Sequence, residues 1–95
     1  MVIGVATLEL YLHGVHSLKE KRSILRRILE RTRHQFPVSA AEVDHQDQHQ
    51  QATIGLAVVS GDARVANSIL DKALDFIETL HLAEIVRTDL EILHL

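Results

Sequence analysis

The sequence predicts an α+β domain of the ferredoxin-like βαββαβ plan: a four-stranded antiparallel sheet with two helices on one face. Three observations lead there. Period-two alternation marks a strand near each end of the chain. Two segments of helical periodicity each open on side chains suited to capping an N-terminus. Between them lie two short apolar runs joined by a polar loop, the pattern of a hairpin.

In order along the chain, Val2–Leu12 alternates, with Val2, Gly4, Ala6, Leu8, Leu10 and Leu12 on one face and Ile3, Val5, Thr7, Glu9 and Tyr11 on the other. His13-Gly14-Val15-His16 connects it to Ser17-Leu18-Lys19-Glu20, a capping box whose Ser and Glu satisfy free amide hydrogens. The first helix follows, with Leu18, Leu25, Ile28, Leu29, Thr32 and Phe36 as its inward stripe and Pro37 as its stop. Val38–Val43 is a short strand, Asp44 to Gln50 a polar loop and Ala52–Val59 a second strand. Ser60-Gly61-Asp62 turns the chain into a second helix with a stripe of Val65, Ile69, Ala73, Phe76, Ile77 and Leu80. Glu84–Leu93 alternates again, with Val86, Leu90 and Ile92 apolar.

The composition bounds the function. Ninety-five residues suit one domain across 1–95, and 46% apolar content suits a packed core rather than disorder. Aromatics make up only 3%, so the core rests on Leu, Ile, Val and Ala, and the stacking platforms of many single-strand nucleic-acid modules are missing. With no cysteine there is no disulfide, thiolate metal site or cysteine nucleophile. No apolar run matches a membrane span and no signal-peptide pattern opens the chain, so a cytoplasmic protein without a membrane role is expected. The net charge of −3 argues against general nucleic-acid binding, but it is unevenly placed. Seven of the ten Lys and Arg lie between Lys19 and Arg33, opposed only by Glu20 and Glu30. That stretch carries about +5 and the remainder about −8.

Three segments carry a resemblance: Ser17-Leu18-Lys19-Glu20-Lys21-Arg22-Ser23, Ala41-Glu42-Val43-Asp44-His45-Gln46-Asp47 and Val59-Ser60-Gly61-Asp62-Ala63-Arg64. At these spacings they resemble the YlxP-like family of bacterial domains of unknown function. The resemblance spans essentially the whole chain. It implies a ferredoxin-like fold and no established activity, substrate or catalytic residue. Genes of that family often neighbour those of translation initiation factors and ribosome-binding factor A, which points towards RNA or the ribosome. The family loop tends to run Gln-Asp-Leu-Trp-Gln, whereas here Gln46-Asp47-Gln48-His49-Gln50 lacks the aromatic.

Four features are candidates for function. On the first helix, Lys19, Arg22, Arg26 and Arg33 fall within roughly 60° of one another, and Lys21 lies nearer the apolar side, where its stem is expected to be buried and its head to reach outward. Lysines in a first turn oppose the helix dipole, a local rule broken without evident gain. These five residues form the expected anion- or nucleic-acid-binding set. The competing reading is a solvated face with Glu30 paired to Arg26 and Arg33. The polar loop offers Asp44, His45, Asp47 and His49 as weak metal-ligand candidates, although a hairpin fixes no common face for them. The first loop lacks the phosphate-binding Arg of the acylphosphatases, which share this plan, and the only Asn, Asn67, falls inside the second helix, so that chemistry is not expected. The open sheet face combines small residues (Ser39, Ala41, Thr53, Gly55, Ala57) with Ile3, Val5 and Tyr11, which suits a homodimer. His34, His81 and His94 read as surface residues.

The reading that results is a non-enzymatic binding domain without cofactor, partnered by RNA or the ribosome through its basic first helix. The rivals are a small-ligand or metal-dependent enzyme using loop 44–49, and a homodimeric scaffold for an acidic protein.

Overall fold

The computed structural model describes every residue from Met1 to Leu95. Six elements follow in order: β1 (Val2–Tyr11), α1 (Leu18–Gln35), β2 (Ser39–Asp44), β3 (Gln51–Ser60), α2 (Ala63–Thr79) and β4 (Glu84–His94). The strands form one antiparallel sheet in the order β2-β3-β1-β4. The fold is ferredoxin-like, as expected, and the element limits agree with the sequence reading to within a residue or two.

The alternation of β1 sets the layers. Its even-numbered residues are buried against the helices, and its odd-numbered ones are half-buried or exposed on the open face. The core gathers Leu8, Leu12, Ile28, Ile54, Leu56, Leu70 and Ile77, all aliphatic as the composition requires. Each edge strand carries an irregularity. In β2 the register slips between Glu42 and Asp44, leaving Val43 as an extra residue. In β4, Glu9 pairs with Arg87 and Leu10 with Ile85, so Val86 bulges.

The second helix keeps most of the stripe its hydrophobic residues suggested, with Ala73 and Ile77 buried and Ile69 and Phe76 packed against the core, but it departs from that stripe in its first turns. Ala66, Leu70, Ala73 and Ile77 are buried, whereas Val65 is 48% exposed. The sheet decides this. A Cβ on Gly4 of β1 would lie 2.9 Å from Leu70 Cδ1 and 3.3 Å from Ala66 Cβ, so α2 rests directly on the bare backbone there. Close approach rewards small residues, and alanine outcompetes valine at the contact. In β4 only Ile85 and Ile92 among the branched residues are half-buried. Val86, Leu90 and Leu93 are exposed, because an edge strand is covered on one flank only.

Candidate nucleic-acid interface

The first helix begins where the capping box places it. Ser17 has extended backbone angles, and its Oγ accepts from the Glu20 N–H at 3.1 Å. Glu20 Oε2 in turn accepts from the His16 N–H at 3.5 Å, one residue further back than the usual reciprocal bond. At the other end Phe36 is extended ahead of Pro37, and its N–H closes the last turn on Thr32 O.

Lys21 is not a surface cation, which corrects the expectation for it. Its side chain is 1% exposed, and its head turns inward. Nζ donates to His45 O and to Gln48 O, each at 2.6 Å, and lies 3.0 Å from Glu42 Oε2. That oxygen has no aligned hydrogen-bond donor, so the contact with Glu42 acts through charge. An ammonium has three protons and no acceptor, and two carbonyls with a carboxylate beside them satisfy it without water. The reach outward foreseen for the lysine head fails because the hairpin carbonyls converge over the buried stripe of α1.

The hairpin they belong to is therefore clamped. His45 sits in the left-handed region at φ 63°, which histidine tolerates better than most residues. Its N–H donates to Asp44 Oδ1, and its carbonyl accepts from Gln48 N–H at 3.1 Å as well as from Lys21. Leu12 N–H donates to Gln50 O at 2.8 Å, and the Tyr11 hydroxyl donates to Gln50 Oε1 at 3.4 Å. The loop is tied to both β1 and α1. Its side chains Gln46, Asp47, Gln48 and His49 are all exposed. Asp44, His45, Asp47 and His49 do not come together as ligands, and no group of three or more His, Asp or Glu side chains converges to hold a metal ion.

The remaining cations of α1 face outward. Lys19, Arg22, Arg26 and Arg33 are exposed, and no carboxylate oxygen lies within 4.0 Å of them. The pairs foreseen for Glu30 with Arg26 and Arg33 do not form. Arg33 instead donates from Nη1 to Ala40 O at 2.6 Å, which puts this stripe on the flank of α1 that overhangs β2. Arg27 and Arg31, outside the stripe singled out from the sequence, are also exposed and unpaired on the other flank, about 80–120° round from Lys19. Their helical angle was legible, but without knowing which flank meets β2 there was no reason to include them.

The end of the molecule nearest the start of α1 has a composition that sequence order conceals. Tyr11, Gln51 and Glu84 are register neighbours, so three connections meet there. Five of the seven histidines lie in those connections: His13, His16, His45, His49 and His81. His13 Nε2 is 2.6 Å from Glu84 Oε1, and its ring meets that of Tyr11 edge-on with centroids 4.6 Å apart. A cleft of about 480 Å³ opens between the β1–α1 loop and the hairpin. His34 and His94 are exposed at other positions.

The model of the family described as protein of unknown function DUF503 matches residues 3–90. This chain belongs to the DUF503 family. Within it, the chain is 39% identical over 87 residues to the uncharacterized protein YlxP of Bacillus subtilis strain 168, covering 92% of each. Among solved structures it is similar to the de novo designed protein Foldit4, with a TM-score of 0.53 at 12% identity over 98% of this chain and 96% of that one. It is also similar to the cofactor-independent oxygenase SnoaB of Streptomyces nogalater, with a TM-score of 0.49 at 13% identity over 99% and 92%. At 12% identity the likeness to Foldit4 concerns the fold alone. The three segments that resembled the YlxP-like family have structural roles in this DUF503 chain. Lys21 from the first grips Glu42 and His45 from the second, and Asp62 from the third caps α2 by accepting from Arg64 N–H at 2.8 Å.

Proposed function

We propose that this protein is a non-enzymatic binding domain for RNA, associated with the ribosome, and that it binds phosphates through α1. The observation that supports this reading is the set of exposed cations without carboxylate partners (Lys19, Arg22, Arg26, Arg27 and Arg31) on one helix of a chain whose net charge is −3. Paired surface charges would cancel locally, whereas unpaired ones keep a field that a polyanion can use. Arg33 flanks them at the β2 edge, and Lys21 does not take part. The acidic remainder confines the footprint to α1 and repels nucleic acid elsewhere. A ribosomal subunit, which adds protein contacts, therefore binds better than a short oligonucleotide. Filter binding and subunit co-sedimentation at two salt concentrations test the reading. Affinity falls steeply with salt, by counterion release. If neither RNA nor subunits bind at low salt, the helix is only a solvated face and the reading fails.

A second reading concerns self-association through the open sheet. It is favoured by an apolar groove of about 390 Å³ lined by Val5, Ala41, Val43, Gly55 and Ala57, a strip free of charge on a face that carries Glu9, Arg87, Asp89 and Glu91 on its other side. Small residues allow a second sheet to approach closely. Light scattering on wild type and Ala57→Arg decides it: the substitution converts a dimer to a monomer, and a wild-type monomer at high concentration refutes the idea.

A further inference from the structure

The cleft between the β1–α1 loop and the hairpin is built unlike the helix beside it. Its walls include Tyr11, Val15, His16, Asp47, Gln48 and His49, and no Lys or Arg lines it. A carboxylate in a cleft that no cation lines disfavours phosphate. The glutamine amide, with both donors and acceptors in one plane, suits the edge of a nucleobase. Asp47 accepts hydrogen bonds only, so it suits an exocyclic amino group. The exposed imidazoles of His16 and His49 line it, and rings of that kind can lie against an unstacked base. Preorganisation is already present, because Lys21 holds the turn through His45 O and Gln48 O and Leu12 holds Gln50 O. Asp47, Gln48 and His49 are thus displayed from a fixed backbone. His16 immediately precedes the cap of α1, and Lys19 and Arg22 follow in its first turns.

We propose that this cleft takes one unstacked RNA base bearing an exocyclic amino group, while the adjoining phosphates lie on Lys19 and Arg22. The inference rests on the RNA reading of α1 and adds to it a division of labour: the helix positions, the clamped hairpin selects. Adenine and cytosine carry the amino group and uracil lacks it, so the preference has a direction.

Fluorescence anisotropy with single-stranded homopolymers of A, C and U about ten nucleotides long, and with a blunt RNA duplex, tests it at low salt. The A and C oligomers bind roughly fivefold to tenfold more tightly than U, the discrimination of one base-edge contact, and the duplex binds no better than U. In the double variant Gln48→Ala/His49→Ala the three oligomers converge to within about twofold, while the salt slope stays as in wild type. Asp47→Ala narrows the advantage of A and C over U and raises affinity for U, because the acceptor and the negative charge go together. Arg22→Ala does the opposite, lowering the salt slope and leaving the order of preference unchanged. The altered side chains are exposed, so melting curves should match wild type.

Equal binding of all oligomers by wild type, or a preference that survives in the double variant, overturns the cleft and leaves the helix reading standing. So does binding to subunits without binding to any oligomer. Failure to bind oligomers and subunits alike removes both.

Discussion

A lysine is an unusual choice for a buried helix face, and Lys21 in the first turn of α1 shows what makes it tolerable. Its stem lies in line with Leu25 and Ile28, and its head meets two carbonyls and a carboxylate rather than water. Removing one member of such a buried set leaves the others desolvated and unmatched. Lys21→Met is therefore expected to cost roughly 3–5 kcal/mol, read from the urea midpoint at constant slope. Amide exchange should quicken in residues 45–50 beyond what the global loss explains. A cost under about 1 kcal/mol would mean that the hairpin holds its shape without the ammonium. Lys21→Arg is not a conservative rescue, since a planar guanidinium does not fit a point-charge site between two carbonyls.

At the scale of elements, the facing of α2 is the test of how the layers meet. Leu70 is fully buried over Gly4, while Val65 is largely exposed. Leu70→Ala should cost about 2–5 kcal/mol and Val65→Ala within about 0.5 kcal/mol. Equal effects would mean that the helix is rotated from the position described. Gly4→Ala probes the same contact from the sheet. It forces Leu70 and Ala66 away from a Cβ that has no room, at roughly 1–3 kcal/mol. In α1 the buried positions Leu25 and Ile28 match the expected stripe, so Leu25→Ala belongs with the large-to-small core losses of about 2–5 kcal/mol. An unchanged melting temperature for that variant would contradict the packing of α1 on the sheet.

For the molecule as a whole, the governing property is polarity of charge: a basic helix on an acidic body. If α1 contacts phosphates, each cation lost should reduce the log–log salt slope by about 0.7–0.9, with Arg22→Ala and Arg26→Ala acting alike on different RNA sequences. A variant that weakens one RNA only would place that residue on a base instead. Folding should be independent of metal, because the core is apolar and the loop residues do not assemble a ligand set. Dialysis against a chelator should leave the circular dichroism spectrum and melting curve unchanged. A loss of structure would require a metal site.

The order of the six elements was written locally. Alternation in Val2–Leu12, the capping box at Ser17, the stop at Pro37 and the cap at Asp62 each involve residues a few positions apart, so sequence alone determined them. The basic stripe was legible for the same reason, since helical angle follows from position. What needed the tertiary structure were choices between near-equal local options. The helical wheel put Lys21 on the apolar side, but its role depends on carbonyls 24 and 27 residues away. The face of α2 depends on Gly4 in another strand, which favours Ala66 over the more hydrophobic Val65. The cleft exists because antiparallel pairing brings the ends of β1 and β3 together, so that residues 11–16 and 47–51 meet. Hydrophobicity ranks residues one at a time, whereas packing and buried hydrogen bonds rank them by the partners that the folded chain supplies.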